Sequence, residues 1–364
     1  MILAIFSFLT ILTGMRTRTV NIFPLGFSVI FFLVVTAVSI LLSKDVIRSI
    51  QLSVPLLPAV LIFFLIAGYF DGTKDVRFLY FVFSIVALGL ASGLLWVVWT
   101  SGGMDPFVWV SDLGSTTLVV KNDVTFFAIV TPLLLSLIYL KPRSIFGVVA
   151  ALAVIFNLAV MGLFQSRVAV LTMVTSVICF FLLLRLRAGL ACGLFTLLAV
   201  LIIDGFMGFP LIERFGRLWD GSGRIPLWLS AWEMFLEKPF MGQGPHTFVL
   251  FYNSYLQELT IPSWLYIETR IVPWPHNLYL EIVAEQGIAG IIAFVFLLAG
   301  GLSKAWSFRQ ATSLDVRVLG CGVCAGLVSF CFAAVVELTF LRHWVVLLFF
   351  VLLGIISHLS SSRK

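Results

Sequence analysis

Apolar residues run along this chain in blocks of roughly 17 to 25, parted by short polar connections, over nearly its whole length. At 1.5 Å per residue such a block crosses about 30 Å of hydrocarbon as a helix, whereas barrel strands would alternate over about ten residues. The pattern predicts an all-α polytopic membrane protein with about eleven spans, ten to twelve. They fall near 2–14, 22–43, 54–70, 78–100, 124–140, 144–165, 167–184, 188–209, 277–302, 318–338 and 344–358. One long interruption, 210–276, divides the chain into N-terminal spans (1–209), a large loop with surface helices (210–276) and C-terminal spans (277–364). A loop of that length stays out of lipid only by folding against the membrane surface, because unpaired backbone groups cannot sit in hydrocarbon.

Composition agrees with the pattern. Hydrophobic residues make up 61% of the chain, charged residues 11%, and mean hydropathy is +1.13. Soluble domains carry about 25% charge, too wide a gap for a buried core to explain. Residues 2–14 lack both a basic start and a small-residue cleavage site, so they read as a first span, not a signal peptide. Lysine and arginine in alternate short connections (Arg16, Arg18, Lys74, Arg77, Lys141, Arg143, Arg185, Arg187, Lys304, Arg309, Arg317) mark the cytoplasmic side. The large loop and Gln165-Ser166-Arg167 then face the periplasm; Lys44 and Arg48 fit this assignment poorly. The net charge of +6 is spread over connections, with no basic run to hold nucleic acid. Cys321 and Cys324 form a CxxC on one helix face without a second pair, a spacing that suits helix packing better than zinc or redox chemistry.

Candidate chemistry gathers at the loop and its borders. Arg167 stands between two apolar blocks, and an arginine at mid-bilayer costs on the order of 2.5–3.5 kcal/mol, so it faces a cavity or an anion, or else snorkels to headgroups. Arg214, Arg217 and Arg224 follow in the loop, the last before a helix expected over 226–237 with Trp228, Ala231, Trp232 and Phe235 on its apolar face. Gly242-Gln243-Gly244-Pro245 reads as a tight turn. His276 sits where the chain returns to the membrane, behind Pro273 and Pro275, and a neutral imidazole there can accept a proton near physiological pH. Glu281 and Glu285, four apart on the incoming helix, are placed to orient it; alternatively His276-Asn277 simply caps that helix. Trp228 and Trp274 belong to a crowd of loop aromatics that suits either an interfacial belt or a stacking platform for sugar rings.

Taken together, Gln165-Ser166-Arg167, Arg224 with Trp228, Lys238-Pro239-Phe240-Met241-Gly242-Gln243-Gly244 and Pro275-His276-Asn277-Leu278-Tyr279-Leu280-Glu281 with Glu285-Gln286-Gly287 resemble the bacterial O-antigen ligase and polymerase family. Asn122-Asp123 and Pro132 fit the same pattern; the chain is short for the family, whose members commonly have about twelve spans. The resemblance implies an inner-membrane glycosyltransferase that moves a glycan from a polyprenyl diphosphate carrier to an acceptor hydroxyl. The acceptor would be a lipid A core glycolipid or a second carrier-bound glycan. It assigns Arg167 and Arg224 to the diphosphate and His276 to the acceptor proton, with Arg214, Arg217, Asn277, Glu281, Trp228 and Trp274 around the substrates. An inverting attack without cofactor or metal is expected, because paired guanidinium groups can balance the leaving diphosphate. A lipid-linked glycan transporter is the competing class, favoured by the intramembrane acids Asp204 and Glu337. Against it, the distinctive polar residues gather at one face and not at a midplane site.

Overall fold

The computed structural model describes residues 25–100, 124–164, 166–184, scattered positions between 191 and 205, 223–263, 265–267 and 271–361. Among these there are helices and no strand. In chain order they are α1 (Gly26–Leu41), α2 (Val46–Ser53), α3 (Leu56–Tyr69), α4 (Gly72–Thr100), α5 (Thr125–Leu140), α6 (Ile145–Phe164) and α7 (Arg167–Leu184). The loop region supplies α8 (Arg224–Glu237) and α9 (Phe248–Glu258), and α10 (Leu278–Ser307), α11 (Leu314–Ala334) and α12 (His343–Ser361) complete the set. Among the described residues seven stretches are long and apolar enough to cross a membrane, and α1 and α5 are shorter apolar helices. The expected span at 2–14 lies outside the described residues, as does most of 188–209.

Helix ends follow the local sequence. Asp45 opens α2 by accepting a hydrogen bond from the Arg48 amide at 3.0 Å, and Asn277 opens α10 by accepting from the Leu280 amide at 3.0 Å. Many large apolar side chains on the spans stay exposed, among them Phe27, Ile155 and Trp99, as helices bathed in lipid require.

The chain forms two compact units. The second comprises 71–216 and 305–333. Within it Tyr80 on α4 donates to the Leu319 carbonyl on α11 at 2.9 Å, and Arg77 pairs with Asp315 at 3.1 Å. Cys321 packs in an apolar cluster with Phe180, Val318 and Ala325, so the CxxC faces a helix interface.

The first unit is discontinuous, built from 1–70, 217–304 and 334–364. α12 lies along α3, and a ring cluster of Phe32, Phe294, Phe340 and Phe349 fills its centre, with centroids 5.7–6.3 Å apart. The decisive local feature is a break in α10 at Gly287 (φ 65°, ψ −159°), a backbone region open only to glycine. Breaking the helix frees carbonyls before it and amides after it. The 239–244 turn satisfies both: Gln243 and Gly244 amides donate to the Ala284 and Glu285 carbonyls (3.1 and 2.8 Å), while the Ile288 and Ala289 amides donate to the Pro239 and Phe240 carbonyls (2.8 and 3.2 Å). The two backbones touch, since a Cβ on Gly287 would stand 2.5 Å from the Phe240 carbonyl carbon. Gly287→Ala is therefore expected to destabilise the protein by about 3 kcal/mol through strain and overpacking, read as a lowered melting temperature in detergent. An unchanged melting temperature would contradict this interlock.

Candidate functional site

Everything in this site lies within the first unit. α8 begins one residue after Gly223, whose left-handed φ of 59° turns the chain into the helix, and its first residue is Arg224. The buried face of α8 is Pro226, Leu227, Ser230, Ala231 and Met234; Trp232, expected on the apolar face, is 46% exposed. α8 packs on α9 through Leu227, Ala231, Phe248 and Tyr252, so the buried stripe is set by α9 and sits one position round from the expected one.

The approach to His276 is held by side chains. The Trp228 indole donates to the Pro275 carbonyl at 2.9 Å. Asn277 is spent on the α10 cap. His276 itself takes φ 54°, unusual for a non-glycine residue. The Trp274 indole lies beside that ring, centroids 5.5 Å apart, and its N–H points to Nδ1 at 3.3 Å. On Trp274 also rests the Arg342 guanidinium, 4.9 Å from the ring centroid.

The acid that meets these groups is Glu337, not Glu281 or Glu285. Its carboxylate is 2% exposed; Oε2 accepts from Arg224 Nη2 at 2.8 Å, and Oε1 lies 3.5 Å from His276 Nδ1 and 3.8 Å from Arg342 Nη2. Glu337 fell inside an expected span at 318–338, but α11 stops at Ala334 and the acid belongs to the connection 335–342. Glu281 instead accepts from the Phe340 amide at 3.1 Å, tying α10 to that same connection. Glu285 accepts the His246 and Phe248 amides at 2.6 and 2.9 Å, closing the start of α9.

Arg224 and His276 are thus brought together on one buried carboxylate while their own side chains stay 26% and 20% exposed. The pairing occupies part of Arg224's five-donor fork and leaves the rest able to face an anion. Arg167 opens α7 in the second unit. Arg214 and Arg217, expected at the site, lie outside the described residues. The sequence reading does not single out Glu337 and Arg342 for this role; the signal it holds is an acid and an arginine five residues apart in one short connection between apolar blocks.

Lys44 and Arg48, which fitted the charge alternation poorly, prove to be braces on the large loop. Lys44 pairs with Glu237 at 2.9 Å and lies over Phe251, and Arg48 Nε donates to the His246 carbonyl at 3.0 Å. Hydrogen bonding from Tyr255, then from Lys44, holds the Glu237 carboxyl below its ordinary range.

With that geometry in view, residues 115–295 match the family described as O-antigen ligase. The chain belongs to the O-antigen ligase/polymerase family. The match covers α5 to α9, the return at His276 and the interlocked start of α10. No curated protein matches the chain significantly.

Proposed function

We propose that this member of the O-antigen ligase family transfers a glycan from a polyprenyl diphosphate carrier to an acceptor hydroxyl at the outer face of the inner membrane. The observation that carries the reading is the convergence of Arg224 and His276 on Glu337. Each group has a part that the reaction needs. The acceptor oxygen attacks the anomeric carbon, the bond from that carbon to the diphosphate breaks with its electron pair, and the hydroxyl proton passes to His276. Charge collects on the diphosphate as the bond breaks, and a guanidinium fork bonds it more strongly as it does so.

His276 takes the hydroxyl proton as a neutral imidazole, and the Glu337 carboxylate, whose Oε1 lies 3.5 Å from Nδ1, balances the imidazolium that forms. A triad of acid, imidazole and arginine accounts for attack opposite the leaving group with inversion and no covalent enzyme intermediate. Asn277 and Trp228 then serve by fixing the approach of His276, while Trp274 offers its indole beside the ring.

Deletion in the native host separates the two acceptors. Ligation to a lipid A core predicts bare core on gels of surface polysaccharide, with polymer left on its carrier. Polymerisation predicts core bearing a single repeat. An unaltered polysaccharide profile would contradict both.

A further inference from the structure

Behind the 242–248 turn, α10 and the turn enclose a second set of groups that the transfer reaction does not use. His246, Glu281 and Glu285 are 7%, 3% and 3% exposed, and each offers one donor atom within 4.8 Å of the others. They line a cavity of about 30 Å³ together with Thr36, Gln286 and Phe340. Two atoms there, His246 Nδ1 and Glu281 Oε2, are fully buried with no hydrogen-bond partner in the protein. A buried polar atom left without a partner costs about 1–3 kcal/mol, and a pair of buried carboxylates costs more unless a positive charge joins them.

We propose that this cavity binds one divalent transition-metal ion, zinc or manganese, through His246 Nδ1, Glu281 Oε2 and a carboxylate oxygen of Glu285. One imidazole and two carboxylates suit such an ion, whose double charge would neutralise both acids. Donor atoms about 2.1 Å from a tetrahedral metal lie about 3.4 Å apart, so side-chain rotations that draw the present set, now within 4.8 Å, together by about an ångström would close it. Glu285 keeps its backbone bonds to His246 and Phe248 while lending a further lone pair.

The ion is structural. Glu281 Oε1 holds the Phe340 amide, three residues beyond Glu337, and Glu285 holds the start of α9, so one bound ion would lock the 335–342 connection, the turn and α10 together. It touches neither Arg224 nor His276 and takes no part in transfer.

The test is metal content of the whole protein, purified in detergent and dialysed against metal-free buffer. Mass spectrometry is expected to find about one zinc or manganese per chain. Protein stripped with a strong chelator should regain at least about 5 °C in melting temperature when zinc or manganese chloride alone is added, and His246→Ala or Glu281→Gln should abolish that gain. Wild-type protein with less than about a tenth of an equivalent of metal, and no thermal response to either ion, would overturn the proposal whether or not the variants fold.

Discussion

His276→Ala is expected to lower glycan transfer by about 10²- to 10⁴-fold while the protein still inserts and melts near the wild-type temperature. The ring is 20% exposed and its contacts are with Trp274 and Glu337, so its removal opens no large cavity. The helix behind it is capped by Asn277 and does not depend on the imidazole. Alanine at a φ of 54° carries a strain of about 1–2 kcal/mol, small enough to leave a folded protein. Loss of transfer in a variant that elutes and melts normally would mark the imidazole as chemical, and transfer within about threefold of wild type would remove it from the mechanism.

Glu337→Gln is expected to damage both folding and turnover. The carboxylate is 2% exposed and faces two guanidinium groups and an imidazole. Removing one charge of a buried pair typically costs about 3–5 kcal/mol; here Arg224 is partly exposed, so the lower end applies. Turnover should fall by at least about tenfold, because the amide does not balance the charge of the imidazolium that forms. Glu337→Asp, which keeps the charge, should recover part of the activity. Equal activity in the Gln and Asp variants would show that the charge at 337 has no part in transfer.

Much of the fold is legible in the sequence because hydrocarbon thickness fixes helix length. The blocks read at 54–70, 124–140, 144–165 and 167–184 correspond within a few residues to helices at Leu56–Tyr69, Thr125–Leu140, Ile145–Phe164 and Arg167–Leu184. What hydropathy cannot supply is pairing between distant segments. Arg224 and Glu337 are 113 residues apart, and an acid three residues past the end of α11 looks the same in a hydropathy window as one inside it. The same blindness attached Glu281 and Glu285 to His276 by nearness in sequence, whereas the break at Gly287 and the left-handed turn at His276 send them to Phe340, His246 and Phe248. Lys44 and Arg48 were counted as topology signals because charge statistics do not see that Glu237 and the His246 carbonyl are their partners. The resemblance singles out His276 and Arg224, and it supplies the proposed roles that spacing alone leaves open.

The most direct measurement is transfer by the purified protein in nanodiscs, given a polyprenyl diphosphate glycan and an acceptor, with release of polyprenyl diphosphate followed against time. Wild-type protein should yield glycosylated acceptor and free carrier in equal amounts, and the His276→Ala and Glu337→Gln proteins should release little of either. Donor left intact by wild-type protein with both ligase and polymerase acceptors, or consumed equally by all three proteins, would contradict a transfer site built on Arg224, His276 and Glu337.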